Sequence, residues 1–146
     1  MNKQAKIWLK SAEDDLRWAK HNLKGGFYPQ ACFAAQQAAE KALKAYLLEK
    51  TGRFDKVHLL PKLLRDCQKE DKIFKDLTEA CDILADYYLD TRYPDMLDFS
   101  SFDDTQHAQE AIKLANKIIE FVKDRLGREK ETIEGEEFQK LMKSSR

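Results

Sequence analysis

Residues 31–47 read ACFAAQQAAEKALKAYL, a stretch with helical periodicity that is apolar over most of its circumference. At 100° per residue it carries two apolar sides and one polar arc. The polar arc holds Gln37, Glu40, Lys41 and Lys44. Because small residues let neighbouring helices approach closely, the pattern predicts a helix at the centre of a bundle. Its polar arc must then open either to solvent or into a cleft. The two apolar sides consist of Cys32, Ala35, Ala39, Leu43 and Tyr46, and of Ala31, Ala34, Ala38, Ala42 and Ala45.

Helical periodicity continues on both sides of this stretch, and no β-type alternation occurs anywhere in the sequence. The predicted helices span about residues 2–24, 28–50, 62–69, 72–90 and 105–126. Short connections between them favour an all-α fold, an antiparallel up-and-down bundle of four to five helices. We expect a domain over residues 1–126. Residues 127–146 form a charged tail that is expected to be mobile or to hold a short helix.

Two finer predictions concern the last two helices. In the fourth helix, Ile73 is expected to face inward with the apolar positions that follow it. Asp103 or Asp104 is expected to cap the last helix, which places His107 in its first turn.

The composition limits the function. Among 146 residues, 26 basic side chains balance 26 acidic ones, so only a local patch could attract nucleic acid or an anionic membrane. No apolar run is long enough to span a bilayer, and the N-terminus does not resemble a secretion signal. Three widely spaced cysteines form neither a disulfide framework nor a metal motif. We therefore expect reduced thiols, a cytoplasmic location and no membrane contact.

Several catalytic chemistries have no motif in this sequence. Di-metal bundles need inward E-x-x-H pairs, whereas the chain offers only Asp104-x-x-His107 at a helix start. A phosphate loop with G-K-[ST] is missing, and so is a G-x-S-x-G nucleophile. No metal or cofactor is therefore expected.

Two constellations could still carry function. In VHLLPKLL, residues 57–64, His58 stands at the entrance of a helix, where it could simply cap that helix. In YLDTRYPD, residues 88–95, Arg92 lies beside Tyr93 and Asp95 at a helix exit. Arg92 could pair with a nearby carboxylate or present its planar guanidinium to a phosphate. The residues alone favour neither reading.

Taken in order, three motifs resemble the HEPN domain family (higher eukaryotes and prokaryotes nucleotide-binding). They are A-x-F-x-x-Q-Q-A-x-E-K-A-L-K-A at 31–45, H-x-L-x-x-L-L at 58–64 and Y-x-x-x-R-Y-P-D at 88–95. The resemblance covers about residues 1–126. It implies a bundle of four or five helices, commonly a homodimer, in a prokaryotic cytoplasm. It also implies nucleotide binding and, in the branch this chain looks like, a minimal nucleotidyltransferase partner in a toxin–antitoxin-like pair.

Other branches of the family are metal-independent ribonucleases that use an Arg-x4–6-His motif near a late helix. This sequence departs from that pattern, because no histidine stands four to six residues after Arg92. Arg53 and His58 have the bare spacing, but they lie in the loop after the second helix. Whether the protein is an enzyme therefore stays open, with RNA cleavage the less favoured reading.

The sequence leaves three hypotheses. In the first, a dimeric module binds a nucleotide or a short RNA between the central helix and the loop at 91–102. The second is a ribonuclease toxin with His as general base and Arg stabilising the phosphorane. The third is a purely structural dimer whose polar arc is simply solvated or pairs with a partner chain. The apolar stripe of the first or last helix is the expected interface of any dimer. The ligand-binding residues predicted by the first are Gln37, Lys41, Lys44, His58, Arg92, Tyr93 and Asp95.

Overall fold

The computed structural model describes residues 1–54, 56, 59–92 and 103–144, with backbone alone at 88–92 and 128–144. This part of the chain is helical and contains no strand, so the predicted all-α bundle is confirmed. The elements are α1 (Lys3–Lys24), α2 (Tyr28–Thr51), α3 (Leu60–Glu70), a 3₁₀ helix (Lys72–Leu77), α4 (Thr78–Arg92) and α5 (Thr105–Ser144).

The turns between the first helices follow from local chemistry. The side chain of Asn2 caps α1 by accepting a hydrogen bond from the backbone N–H of Ala5 at 2.7 Å. Pro29 lies in the first turn of α2, where its missing N–H breaks no helical bond. Gly52 ends α2 in the left-handed conformation with φ 76°, which glycine adopts without steric penalty.

The fourth predicted helix is two elements. Asp71 has an extended backbone that ends α3, and its side chain caps the following 3₁₀ helix through the N–H of Ile73. The changed period turns Phe74 into the core and leaves Ile73 exposed, so the inward placement of Ile73 was wrong. Asp71 also accepts hydrogen bonds from Nε and Nη2 of Arg125, which ties this junction to α5.

Helix α5 does not end at Gly127, where the sequence suggested a tail. Its backbone stays helical from Thr105 to Ser144. A glycine inside a helix costs only about 1 kcal/mol relative to alanine, and the neighbouring Arg, Glu and Lys residues favour helix. The separate character of residues 127–146 remains a prediction.

Helix α2 is the centre of the bundle. It contacts α1, α3, α4 and α5, and its buried residues run almost without interruption from Ala31 to Leu48. All five alanines of one predicted apolar side are fully buried. Within the described residues, no helix is long and apolar enough to cross a membrane.

Candidate functional site

The polar face of α2 is buried rather than open. Gln36, Glu40 and Lys44 follow one another at single-turn spacing and are only 0%, 2% and 3% exposed. Nζ of Lys44 lies 2.7 Å from Oε1 of Glu40, and Nε2 of Gln36 donates to Oε2 of Glu40 at 3.4 Å. We call these three residues the buried polar row. Its members bond to one another along a single helix.

Aromatic rings surround the charged end of this row. The ammonium of Lys44 lies 5.5 Å from the ring centre of Trp8 and 5.0 Å from that of Phe54. These two rings meet edge to face at 5.0 Å. Ring faces attract cations, so they compensate part of the hydration that Lys44 loses. Trp8 and Phe54 therefore close this end of the row to solvent.

The outer edge of the polar face is more accessible. Gln37 is half-buried and donates from Nε2 to Oε1 of Gln36 at 2.7 Å. The side chain of Lys41 is 27% exposed, and its Nζ lies 2.8 Å from both Asp15 Oδ2 and Ser11 Oγ on α1. Gln37 and Lys41 are therefore the more accessible members of the polar face.

The sequence predicted that Gln37, Lys41 and Lys44 line one wall of a cleft. The structure brings the three together on one face of α2, but it closes Lys44 behind Trp8 and Phe54. Gln36 belongs to the same network and was missed. On the helical wheel it stands between the polar arc and an apolar side, so periodicity alone does not assign it.

Four of the predicted ligand-binding residues cannot be placed in this geometry. His58, Tyr93 and Asp95 lie outside the described residues, and Arg92 is described only as the last residue of α4. Their predicted contacts with phosphate and base stay predictions.

A cavity of about 460 Å³ opens where α2 ends and α3 passes it. We call it the α2–α3 cavity. One part of its lining is apolar and the rest is charged or hydroxylic. The lining residues are Leu47, Thr51, Arg53, Phe54, Lys62, Asp66, Lys69 and Glu70.

Helix α3 contributes charged side chains to the wall of the α2–α3 cavity. Lys62 Nζ lies 3.2 Å from both carboxylate oxygens of Asp66, and Lys69 Nζ lies 3.7 Å from Oδ1 of the same residue. Asp66 thereby holds two ammonium groups on one side of the opening. The sequence signal was K-x-x-x-D-x-x-K, residues 62–69, a spacing that puts all three side chains on one face.

Asp104 and His107 form a separate pair at the start of α5. Asp104 Oδ1 accepts from the backbone N–H of His107 at 2.7 Å, and its Oδ2 lies 2.6 Å from Nδ1 of that ring. These bonds hold the pKa of the Asp104 carboxyl below its usual value. The predicted capping role of Asp104 is confirmed, with His107 in the first turn.

The three cysteines are buried as free thiols. Burial raises the pKa of Cys32 and of Cys81 to about 12, and it raises the pKa of Cys67 further still. Thiols are nucleophilic only as thiolates, so these groups are chemically inert at neutral pH. Over the described ranges, no cluster of three or more His, Cys, Asp or Glu residues could hold a metal ion.

A model of the HEPN domain matches residues 5–125. The chain belongs to the HEPN domain family. A protein named "Putative toxin MJ1304" from Methanocaldococcus jannaschii is 30% identical over 134 residues, covering 84% of this chain and 88% of that protein.

Two solved structures extend the HEPN comparison to three dimensions. TT1696 from Thermus thermophilus is 39% identical with a TM-score of 0.77, covering 84% of this chain and 98% of that one. An HEPN domain protein from Thermotoga maritima is 31% identical with a TM-score of 0.67 and the same two coverages. The HEPN resemblance read from the three sequence motifs is therefore confirmed.

Proposed function

We propose that this HEPN protein binds a nucleotide or a short RNA and partners a nucleotidyltransferase in a toxin–antitoxin-like pair of a prokaryotic cytoplasm. The observation that carries the proposal is the buried polar row on the central helix. A buried ion pair such as Glu40–Lys44 seldom stabilises a fold more than well-packed apolar residues of similar size do. A polar face on the most buried helix therefore suggests a use beyond packing.

The proposed binding surface is the outer edge of that polar face. Gln37 and Lys41 are accessible enough to contact a ligand, whereas Lys44 acts from behind by orienting Glu40. His58, Arg92, Tyr93 and Asp95 are proposed to complete the site, with His58 and Arg92 on phosphate and Tyr93 stacked on a base.

Thermal shift tests nucleotide binding directly. The native protein is heated with mono-, di- and trinucleotides and with short RNA oligomers, and the series is repeated with Arg92→Ala. A ligand at a hundred times its dissociation constant stabilises the native state by about 2.7 kcal/mol, which is a rise of several degrees in Tm. A flat response of the native protein to every ligand contradicts nucleotide binding.

Partnership with a nucleotidyltransferase is tested separately by co-expressing this chain with a minimal nucleotidyltransferase and purifying through a tag on one of them. A stable complex of fixed stoichiometry supports the pair. Two proteins that elute independently at micromolar concentration contradict it.

A ribonuclease toxin is the second candidate, since other branches of the family are metal-independent ribonucleases. Metal-independent cleavage needs a general base for the 2′-hydroxyl and a cation for the phosphorane, roles open to His58 with Arg53 or Arg92. Labelled RNA incubated with the protein in EDTA discriminates the two functions. If the native protein cleaves the RNA and His58→Ala does not, the ribonuclease becomes the first candidate and the binding module the second.

We further propose a homodimer through α1. Ile7 and Trp18 are large apolar residues on this helix that stay exposed, and they are eleven positions apart, which places them on the same face. Light scattering on the native protein and on Trp18→Glu tests this contact, since the substitution should shift the mass from two chains to one. A native dimer with no response to any nucleotide or RNA would favour the purely structural reading.

A further inference from the structure

We propose that the α2–α3 cavity holds the phosphate end of a nucleotide or of a 5′-phosphorylated RNA, with Arg53 and Lys62 as its ligands. This inference rests on the proposed nucleotide-binding function, and it assigns the phosphate to Arg53 and Lys62 in place of His58 and Arg92. The cavity volume of about 460 Å³ lies in the range of small-ligand sites, which are roughly 300–1,000 Å³.

Arg53 is the cation best suited to contact a phosphate. Its side chain is exposed at the cavity, and in the described part of the chain its guanidinium forms no ion pair. A planar guanidinium can donate two parallel hydrogen bonds to phosphate oxygens. No carboxylate in the described ranges pairs with it as Asp66 pairs with the two lysines.

The backbone holds Arg53 at this place. Gly52 turns the chain sharply at the end of α2, and Thr51 Oγ1 then accepts from the N–H of Arg53 at 3.3 Å. The same hydroxyl lies 2.8 Å from the carbonyl oxygens of Leu47 and Arg53. The turn is therefore fixed before any ligand binds, which lowers the entropy lost on binding.

Lys62 and Lys69 add positive charge from α3. Asp66 keeps both ammonium groups beside the cavity, and Lys69 remains 75% exposed on the side chain. Among the described residues that line the cavity, Arg53 and these two lysines give three cations against the carboxylates of Asp66 and Glu70. Such a surplus suits an anion but not a neutral or cationic ligand.

The apolar part of the cavity suits the base of a nucleotide. Leu47 and Phe54 lie in its wall, and Phe54 also covers the ammonium of Lys44. An aromatic side chain offers a stacking surface to any base. Phe54 thus borders both the α2–α3 cavity and the buried polar row.

Isothermal titration with AMP, ATP, sodium pyrophosphate and an RNA trinucleotide with and without a 5′-phosphate tests the proposal. Arg53→Ala and Lys62→Ala are compared with the native protein and with Lys20→Ala. Lys20 is an exposed cation on α1 that does not line the cavity, so it controls for the loss of one charge. Circular dichroism and Tm confirm that each variant is folded.

The expected result is a loss of at least about tenfold in affinity in both cavity variants and less than about twofold in Lys20→Ala, since each lost contact is charge-assisted. Pyrophosphate and the 5′-phosphorylated RNA should show the same pattern, and RNA without the phosphate should bind more weakly. Glu70→Gln should tighten binding, because it removes a carboxylate from the opening.

Two other results overturn the location. If the native protein binds a nucleotide and both cavity variants bind it equally well, the α2–α3 cavity is not the site, although the proposed function stands. If Lys20→Ala weakens binding as much as Arg53→Ala does, the anion is attracted by the overall charge of the protein and not by contacts in the cavity. A native protein that binds none of these compounds overturns the proposed function and this inference together.

Discussion

The two sides of α2 are equally buried and chemically opposite. One side presents Ala31, Ala34, Ala38, Ala42 and Ala45, all without exposed surface. The other presents the buried polar row, in which an ammonium, a carboxylate and an amide bond to one another. Small side chains let other backbones come close, whereas the polar row must satisfy its own charges before it can be buried at all.

The alanine side of α2 serves folding, whereas the polar side also offers groups that could serve function. The alanine side has one task, which is to pack at short range against neighbouring helices. The polar side holds a buried ion pair where apolar residues often pack at least as well, and it connects to Gln37 at an accessible edge and to Phe54 at the α2–α3 cavity. Substitutions on the two sides should therefore fail in different ways.

The largest effect is expected from Glu40→Leu. This substitution leaves the Lys44 ammonium buried without its carboxylate at 2.7 Å, and breaking such a pair costs about 3–5 kcal/mol. Urea unfolding measures the change in the free energy of unfolding. The double variant Glu40→Leu/Lys44→Met, which removes both charges, should recover most of that loss. If Glu40→Leu unfolds with a free energy within about 1 kcal/mol of the native value, then leaving Lys44 without its carboxylate costs little.

Overpacking is the corresponding test of the alanine side. Ala42→Leu adds three carbons at a position with no exposed surface, which should lower the free energy of unfolding by about 1–3 kcal/mol. Lys117→Leu on the exposed face of α5 is the control and should change it by less than about 0.5 kcal/mol. Equal effects at the two positions would mean that the alanine side is not closely packed.

Alkaline pH should weaken the apolar sides of α2. Burial raises the pKa of Cys32 from 9.0 and of Tyr46 from 10.0, each to about 12. Because the folded pKa values exceed the unfolded ones, the stabilisation is complete below about pH 9 and is lost as the pH rises toward 12. The loss is at most about 1.4 kcal/mol per pH unit for each group.

Thermal unfolding between pH 8 and 11 measures this alkaline loss. Tyr46→Phe keeps the ring and removes its titrating hydroxyl, so its Tm should fall less steeply with pH than that of the native protein. Identical slopes for the two proteins would remove Tyr46 from the explanation.

The smallest effect is expected at the accessible edge of the polar face. Lys41 and Asp15 are partly exposed, and ion pairs of this kind contribute about 0.2–1 kcal/mol. A double-mutant cycle with Lys41→Ala and Asp15→Ala isolates the coupling between them. A coupling as large as that of Glu40 with Lys44 would show that the polar face is uniform along its length.

The sequence predicted the position of α2 because alanines repeat at helical spacing over four turns, a pattern that few other structures produce. It predicted the polar arc for the same reason. It could not tell that Trp8 and Phe54 would cover Lys44, because those contacts come from a different helix and from a turn. Periodicity assigns the direction of a side chain, but not what lies opposite it.

The α2–α3 cavity shows the same limit. Arg53 reaches it through the left-handed turn at Gly52, and Lys62 reaches it through the packing of α3 on α2. The K-x-x-x-D-x-x-K spacing at 62–69 places Lys62, Asp66 and Lys69 on one face of α3, but it does not show that this face borders a cavity beside Arg53. The placement of Ile73 was wrong for a local reason, since a 3₁₀ helix replaced the expected α-helical period over Lys72–Leu77.

The contacts of α2 with four other helices also determine how often its backbone amides are exposed to solvent. An amide near the middle of this helix exchanges its hydrogen with solvent only when the covering helices separate, which for α2 means α1, α3, α4 and α5. The central amides of α2 should therefore be the slowest to take up deuterium, at a rate set by global unfolding. The amides of α3, which packs on fewer neighbours, should exchange through smaller openings that leave α2 protected.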